Sequence, residues 1–123
     1  MCGIIGFIDL SLQTSSDKLQ TIATNMADTL RHRGPDDRGT WVDERVGIAL
    51  GHRRLSIVDL SMAGHQPMHS VCSRYVMVFN GEIYNYKEIR SELEKTNAFL
   101  SWMGHSDTEV MLAAISEWGL EAA

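Results

Sequence analysis

Cys2 combines a nucleophilic thiol with a chain position that makes unusual chemistry available. It follows Met1, and a small second side chain normally permits removal of the initiator methionine, which leaves the α-amine of Cys2 free. An α-amine has a reference pKa of roughly 7.7 to 8.0, so it can act as a base towards the thiol on the same residue. The alternative interpretation is a small core residue near the start of an apolar strand.

Asn80 and Gly81 form the second candidate group, because they directly follow the apolar residues 75–79. An Asn-Gly pair after a strand is typical of a hairpin turn, since both residues tolerate positive φ. The same tight turn can aim the side-chain amide of Asn80 and the backbone N–H of Gly81 at one point. Two such donors form an oxyanion hole, so the hairpin and the functional interpretation are compatible.

Arg54 and Asp107 are the charged candidates. Arg54 begins the segment RLSIVD, and Asp107 lies in the first turn of a predicted helix. The structural alternatives are a solvated loop charge for Arg54 and a carboxylate stabilised by the helix dipole for Asp107. A fixed guanidinium and a fixed carboxylate are also what a site needs to hold the two charged groups of a free amino acid.

The sequence predicts no metal site and no disulfide framework. Its two cysteines form no CxxC pair, whereas zinc cages and redox motifs commonly use that spacing. Cys72, in the polar context SVCSR, is predicted to be an unreactive free thiol. Solvated or structural roles are expected for the histidines, which are His32, His52, His65, His69 and His105.

The elements that must position these candidates begin with strands around one helix. Residues 3–10 are apolar and β-branched, which suits a buried strand and places the amino terminus inside the fold. Over residues 16–34 apolar side chains recur at three- and four-residue steps, which predicts a helix that covers a sheet. Residues 40–42 and 46–50 are predicted to form a hairpin. The apolar face of the helix consists of Leu19, Ile22, Met26 and Leu30.

The second half of the chain is predicted to contain a functional loop, a strand and two helices. Residues 51–70 carry Gly and Pro punctuation, which favours a long loop, and such loops are commonly functional. Residues 75–79 are predicted to form a strand, and 86–95 a solvated helix. The last helix begins at the capping box S-D-T-E of residues 106–109 and ends at Gly119. Its predicted buried face consists of Val110, Met111, Ala114, Ile115 and Trp118.

Length and charge exclude several classes of protein. The 123 residues are 44% apolar, which is enough for one core and too short for two ordinary domains. A formal net charge of -5 gives no basic field for nucleic acid or anionic lipid. The sequence has no apolar run of about 18 residues and no signal-peptide pattern. The expected ligand is a small molecule, and the expected location is the cytoplasm.

Five segments occur along the chain in the order MCGIIGF, RHRGPDD, GHRRLSIVDLS, FNGEIYN and GHSDTE. In this order the chain resembles the N-terminal glutaminase domain of glutamine-hydrolysing asparagine synthetases, which are class II glutamine amidotransferases. The resemblance implies the N-terminal nucleophile hydrolase fold, an α+β, four-layer α/β/β/α sandwich of two antiparallel sheets between helices. It also implies that residues 1–123 are part of this domain. The rest of the domain and the C-terminal ATP-dependent synthetase domain are expected outside these residues.

The resemblance also implies a role for individual residues. Cys2 would be the nucleophile, with its own α-amine as the base, and Asn80 with Gly81 would supply the oxyanion hole. Asp107 would bind the substrate ammonium, with Glu82 beside it. The loop that grips the glutamine carboxylate would consist of Arg54, Leu55, Ser56, Ile57 and Val58.

The implied reaction hydrolyses glutamine to glutamate through a Cys2 thioester and passes ammonia to a second site. In the family that site lies in the C-terminal synthetase domain, where Mg-ATP activates aspartate, and no cofactor is expected in residues 1–123. One alternative acceptor is a sugar acid in surface-polysaccharide synthesis. A further alternative is an inactive fragment that only binds glutamine. Formation of a homo-oligomer is left open.

Overall fold

The computed structural model describes residues 1–56, 61–97 and 100–123. Contacts between Cα atoms divide the chain into two compact units. The first unit comprises Met1–Ser56, His65–Pro67 and Val78–Asn80, and the second comprises Ile57–Gly64, Met68–Met77 and Gly81–Ala123. Two residues of the predicted glutamine-binding loop, Ile57 and Val58, are not among the described residues.

Unit 1 contains a three-stranded antiparallel sheet and one helix. The strands are β1 (Gly3–Ile8), β2 (Asp37–Asp43) and β3 (Ile48–Arg54), in the order β1-β3-β2. The predicted hairpin is confirmed as β2 and β3, and both strands are longer than expected. Because β3 continues to Arg54, the prediction of a loop from residue 51 is wrong for its first four residues. Strand β3 pairs with β1 on one side and with β2 on the other, and this pairing keeps its polar residues 52–54 in the sheet.

The helix α1 (Ser16–Thr29) packs against all three strands, which confirms that it covers a sheet. Its buried residues are Leu19, Ala23 and Ala27, whereas the predicted face residue Met26 is 36% exposed. Residues four apart share one helix face, and the alanines on this face allow the backbone to approach the sheet closely. The helix ends before residue 34, because the N–H groups of Leu30 and Arg31 bond three residues back, to the carbonyls of Ala27 and Asp28 respectively.

Strand β1 lies at the edge of the sheet, with alternating half-buried and exposed residues. The side chains of Ile4 and Ile8 are 47% and 62% exposed, and Met1 is 77% exposed. The predicted strand is confirmed, but its burial and an amino terminus inside the fold are wrong. Helix α1 covers one face of the sheet, and successive side chains of a strand point to opposite faces.

Unit 2 contains two packed helices and a short antiparallel ladder. The helices are α2 (Tyr86–Thr96) and α3 (Asp107–Trp118), and the strands are β4 (Met68–His69) and β5 (Val76–Met77). The two predicted helices are confirmed, whereas the predicted strand over residues 75–79 forms a ladder at only two positions. A 3-10 helix spans Met62–Gly64. Leu93, Val110 and Ala114 form the buried centre of the helix pair.

The capping of α3 is half as predicted. Ser106 Oγ accepts a hydrogen bond from the backbone N–H of Glu109 at 3.2 Å, so the N-cap is confirmed. The carboxylate of Glu109 does not return to Ser106. It accepts the N–H groups of Met103 and Gly104 at 2.6 and 3.0 Å, and thereby fixes the loop before the helix. Gly119, at φ 85°, ends the helix as expected.

The part of the chain that the structure describes contains two antiparallel sheets and three helices, which confirms the predicted α+β class. On α3 the predicted buried face is confirmed at Val110, Ala114 and Ile115, while Met111 and Trp118 are only half-buried.

Within the described ranges, no helix has the length and apolar character needed to cross a membrane.

Candidate active site

Cys2 enters the sheet of unit 1 beside the end of β3. Gly3 pairs with Arg53, so the residue before it reaches the backbone that follows β3. The N–H of Leu55 donates to Cys2 Sγ at 3.3 Å, and the Leu55 carbonyl lies 3.7 Å from the same sulfur. The thiol of Cys2 therefore rests on the backbone of a residue that is 53 positions away in sequence.

Arg54 is the last residue of β3 and is 8% exposed. Its carbonyl accepts the N–H of Asp36 at 3.0 Å, and the carboxylate of Asp36 accepts the N–H of Ser56 at 2.8 Å. One aspartate therefore holds the chain on both sides of Leu55. A buried cation at a strand end has a fixed position, in contrast to the solvated loop charge that was the alternative.

The segment RHRGPDD, to which the sequence assigned no individual roles, supplies the supports of this region. Arg33 Nε donates to the carbonyl of Cys2 at 3.2 Å, and Arg53 Nε donates to the carbonyl of Gly34 at 2.8 Å. Asp36 adds its two bonds to the chain around Leu55. The order of charged residues around a Gly-Pro pair was the available signal, but nothing local indicates which backbone groups they reach.

Asn80 also belongs to unit 1, three residues beyond the end of β5, and its side chain is exposed. The preceding residue, Phe79, is held through both of its backbone polar atoms by His52 and Gln66. The hairpin expected at Asn80 and Gly81 is wrong, because the next element is α2. Neither residue is among the described positions that have positive φ.

Asp107, Gly81 and Glu82 lie in unit 2. Asp107, at the first turn of α3, is 8% exposed. Its Oδ2 accepts the N–H of Ile83 at 2.9 Å, and its Oδ1 accepts the N–H of Thr108 at 2.8 Å. Asp107 thus holds the backbone directly after Glu82, while the side chain of Glu82 is exposed.

The predicted residues therefore form two local groups. Unit 1 holds Cys2 in contact with Leu55, between Arg54 and Ser56, and also contains Asn80. Unit 2 contains the second group, in which Asp107 bonds to the backbone next to Glu82. Over residues 1–56, 61–97 and 100–123, no three His, Cys, Asp or Glu side chains converge as metal ligands.

Cys72 has an environment that the sequence did not indicate. The hydroxyl of Ser70 lies 3.3 Å from its sulfur, and the hydroxyl of Ser116 lies 3.7 Å away. The hydrogen bond with Ser70 is the main cause of a lowered pKa of the Cys72 thiol. Because the thiolate is the reactive form of cysteine, a lowered pKa favours reaction at this exposed thiol, and the lack of reactivity predicted for Cys72 stays a prediction that alkylation tests.

Comparison with known proteins identifies the family. The profile of the glutamine amidotransferase domain matches residues 1–123. The chain belongs to this family. Three similar proteins give the extent of the match. Glutamine-hydrolyzing asparagine synthetase 1 of Bacillus subtilis is 40% identical over 100% of this chain and 19% of its own length.

Two further relatives show the same partial coverage. Glutamine-hydrolyzing asparagine synthetase B of Escherichia coli is 38% identical over 98% of this chain and 20% of its own length. Amidase chry2 of Gibberella zeae is 37% identical over 98% of this chain and 18% of its own length. The amidotransferase chain thus spans about a fifth of the length of the curated relatives it matches. It matches the domain of glutamine-hydrolysing asparagine synthetases that the sequence motifs indicated.

Proposed function

We propose that this amidotransferase domain hydrolyses glutamine with Cys2 as the nucleophile and delivers ammonia for the synthesis of asparagine. One observation carries the proposal: the backbone nitrogen of Leu55 donates to the Cys2 sulfur at 3.3 Å. Leu55 directly follows the buried Arg54. A nucleophile in contact with the residue that follows a buried arginine suits a substrate that has a carboxylate at one end and a reactive amide at the other.

The active form requires the loss of Met1. While Met1 is present, the Cys2 nitrogen belongs to a peptide bond and has no basic lone pair. Met1 is 77% exposed, which leaves its peptide bond open to an aminopeptidase. The freed α-amine then takes the thiol proton, and the thiolate attacks the side-chain carbonyl carbon of glutamine.

The first half of the reaction forms a thioester and releases ammonia. As the sulfur–carbon bond forms, the carbonyl oxygen becomes an oxyanion, for which Asn80 and Gly81 supply N–H donors. The α-ammonium of Cys2 returns its proton to the amide nitrogen, the carbon–nitrogen bond breaks, and ammonia leaves. The amine then takes a proton from water, which attacks the thioester. The carbon–sulfur bond breaks, the α-ammonium returns this proton to the sulfur, and glutamate is released as the Cys2 thiol is regenerated.

Substrate recognition is assigned to the two charged ends of glutamine. Arg54 binds its carboxylate, with Leu55, Ser56, Ile57 and Val58 as the adjoining loop. Asp107 binds its ammonium group beside Glu82. The two carboxylate oxygens of Asp107 each accept one backbone N–H, and a carboxylate has about four acceptor sites in total. Acceptor capacity therefore remains for a substrate ammonium.

The acceptor of ammonia is assigned from the relatives. Those named asparagine synthetase are about five times longer than this chain, and we place the remainder of the glutaminase domain and an ATP-dependent synthetase domain after residue 123. There, Mg-ATP would activate aspartate. A second candidate is a different acceptor, such as a sugar acid, because amidase chry2 is a similarly close relative with another name.

The decisive experiment measures glutamate release from glutamine by the complete gene product after mass spectrometry has shown that Met1 is absent. Wild type, Cys2→Ala and the matched thiol control Cys72→Ala are compared. We expect Cys2→Ala to abolish release and Cys72→Ala to retain it. Equal rates for Cys2→Ala and wild type would refute the nucleophile. A protein that binds glutamine without hydrolysing it would be an inactive glutamine-binding protein.

Substrate recognition and the acceptor need separate measurements. Arg54→Ala and Asp107→Ala each remove a charge-assisted hydrogen bond worth about 1.5 to 3 kcal/mol, so the KM for glutamine should rise roughly tenfold or more. Arg38→Ala, which removes a half-exposed guanidinium of the same unit, should leave KM unchanged. Unchanged KM in both site variants would place the pocket elsewhere. Transfer of nitrogen-15 from amide-labelled glutamine to aspartate, followed by NMR with Mg-ATP present, tests the acceptor.

A further inference from the structure

The backbone of Phe79 is held at both of its polar atoms by side chains from other parts of unit 1. Its N–H donates to Gln66 Oε1 at 2.6 Å, and its carbonyl lies 3.2 Å from His52 Nε2. Both side chains are buried, with His52 1% and Gln66 6% exposed. Neither residue has a part in the reaction described above.

The protonation of His52 suits this contact. Burial is the main cause that lowers the pKa of His52, and electrostatic interactions with Arg54 and His65 lower it further. The hydrogen bond with the Phe79 carbonyl and the charge of Asp37 act in the opposite direction. The ring is therefore neutral near pH 7. A carbonyl only accepts hydrogen bonds, so the proton lies on Nε2 and is donated to Phe79.

The sheet fixes the positions of the two side chains. His52 lies within β3, where it is opposite Ile4 of β1 and Gly39 of β2. A Cβ at Gly39 would lie 2.0 Å from the carbonyl oxygen of Gln66, so only glycine lets the segment around residue 66 lie this close to β2. The neighbouring His65 donates from Nδ1 to Asp37 Oδ2 at 2.7 Å, which ties that segment to the same strand.

The restraint on Phe79 passes to Asn80 through the peptide plane. The Cα, carbonyl and amide atoms between two residues are coplanar, so fixing the Phe79 carbonyl fixes the plane that contains the Cα of Asn80. Asn80 itself lies in irregular backbone and is exposed. The value of an oxyanion-hole donor depends on its being aimed before the reaction begins.

We propose that His52 and Gln66 are positioning residues that orient Asn80 for stabilisation of the oxyanion. The inference rests on the proposed function, in which Asn80 is the donor. It adds two buried residues to the requirements of the reaction, although neither contacts the substrate. They act on the transition state through Asn80, so they should affect kcat more than KM.

The test uses the complete gene product with Met1 removed. His52→Leu removes the donor, and His52→Gln keeps an N–H donor on a side chain of similar reach. Because a displacement of about 1 Å can cost up to about a hundredfold in rate, we expect His52→Leu to lower kcat for glutamate release at least about tenfold. The KM for glutamine should change less than about threefold, and His52→Gln should restore most of kcat. Gln66→Met, which removes the acceptor, should act as His52→Leu does, and it provides the test if His52→Leu does not fold.

A double-mutant cycle with Asn80→Ala separates this inference from the proposed function. Asn80→Ala alone should lower kcat by about a hundredfold to a thousandfold, and adding His52→Leu should then lower it no further. If Asn80→Ala leaves kcat unchanged, the oxyanion assignment of the proposed function fails. If Asn80→Ala lowers kcat but the effect of His52→Leu is absent or fully additive, the positioning role is refuted.

A matched control excludes a general effect of core damage. Ala49→Gly alters a fully buried residue of the same strand, three positions from His52 and on the opposite face of the sheet. It should reduce thermal stability while leaving kcat per folded molecule unchanged. An equal loss of kcat in Ala49→Gly and His52→Leu would assign the effect to stability and overturn the inference.

Discussion

Replacement of Gly34 by alanine should weaken glutamine binding, because the added methyl group would overlap the backbone of β3. A Cβ at this position would lie 2.3 Å from the carbonyl oxygen of Arg53, 2.4 Å from its carbonyl carbon and 2.6 Å from the nitrogen of Arg54. All three atoms belong to the backbone of a paired strand, so no side-chain rotation relieves the overlap. The loop around residue 34 must therefore move away from the strand.

The cost follows from the bonds that this movement breaks. Arg53 Nε donates to the Gly34 carbonyl at 2.8 Å, and the Asp36 N–H donates to the Arg54 carbonyl at 3.0 Å. Loss of each bond costs about 1 kcal/mol, and forcing an extra carbon into packed structure costs about 1 to 3 kcal/mol. The free energy of unfolding should fall by about 3 to 5 kcal/mol, which is within the stability of a typical domain.

Glutamine binding should weaken together with the loss of stability. Under the proposed role of Arg54 in binding the substrate carboxylate, its displacement should raise the KM of Gly34→Ala for glutamine at least about tenfold, corresponding to about 1.4 kcal/mol. Steady-state glutamate release and thermal unfolding of the complete gene product measure both quantities. Gly6→Ala in β1 is the matched control. A Cβ at Gly6 would have as its nearest neighbour the flexible side chain of Leu50, at 3.2 Å.

Equal behaviour of the two glycine variants would refute this reasoning. If Gly34→Ala and Gly6→Ala unfold at the same temperature and have the same KM for glutamine, the loop around residue 34 is not in close contact with β3. Arg54 would then be positioned by something other than the contact between this loop and the strand.

Three further outcomes test the local electrostatics and capping. Hydrogen bonds from Ser11 are the main cause that lowers the pKa of Asp9 from 3.8 to about 2; since the folded pKa is the lower one, Asp9 stabilises the fold above pH 3.8 and loses this effect as the pH falls towards 2. Denaturant midpoints against pH should show that dependence in wild type and lose it in Asp9→Asn. Alkylation of Cys72, followed by peptide mass spectrometry, should have its pH midpoint below the ordinary thiol value, and Ser70→Ala should move it upwards. Ser106→Ala should reduce the free energy of unfolding by about 1 kcal/mol in urea titrations, because it removes the N-cap of α3.

The sequence alone determined the features that depend on neighbours within a few residues. Helix α3 is set by the Ser106 cap and by Gly119, and α2 by the spacing of Ile89 and Leu93. The hairpin of β2 and β3 follows from two apolar runs around a polar turn. The order of five motifs also identified the amidotransferase family, because each motif can be read without knowing what it contacts.

Burial and register were decided by tertiary structure. The apolar spacing of α1 predicts Met26 in its buried face, but the sheet packs against the line of Leu19, Ala23 and Ala27. Likewise Arg54 belongs to β3 because the ladders continue to Asp37 and Gly3 reaches Arg53. A strand that is paired on both sides can include polar residues that would otherwise be assigned to a loop.

The site depends on the same distinction. The sequence indicated Cys2 and Asn80 as candidates, whereas the contact of Cys2 with Leu55 joins residues 53 positions apart. The hold of His52 and Gln66 on Phe79 likewise crosses 27 and 13 positions. Periodicity and capping are properties of a short window, but these contacts exist only after the strands have paired in one register and a glycine has let a distant segment lie on the sheet. That is why candidate reactive residues could be proposed from the sequence, whereas the contacts that support them could not.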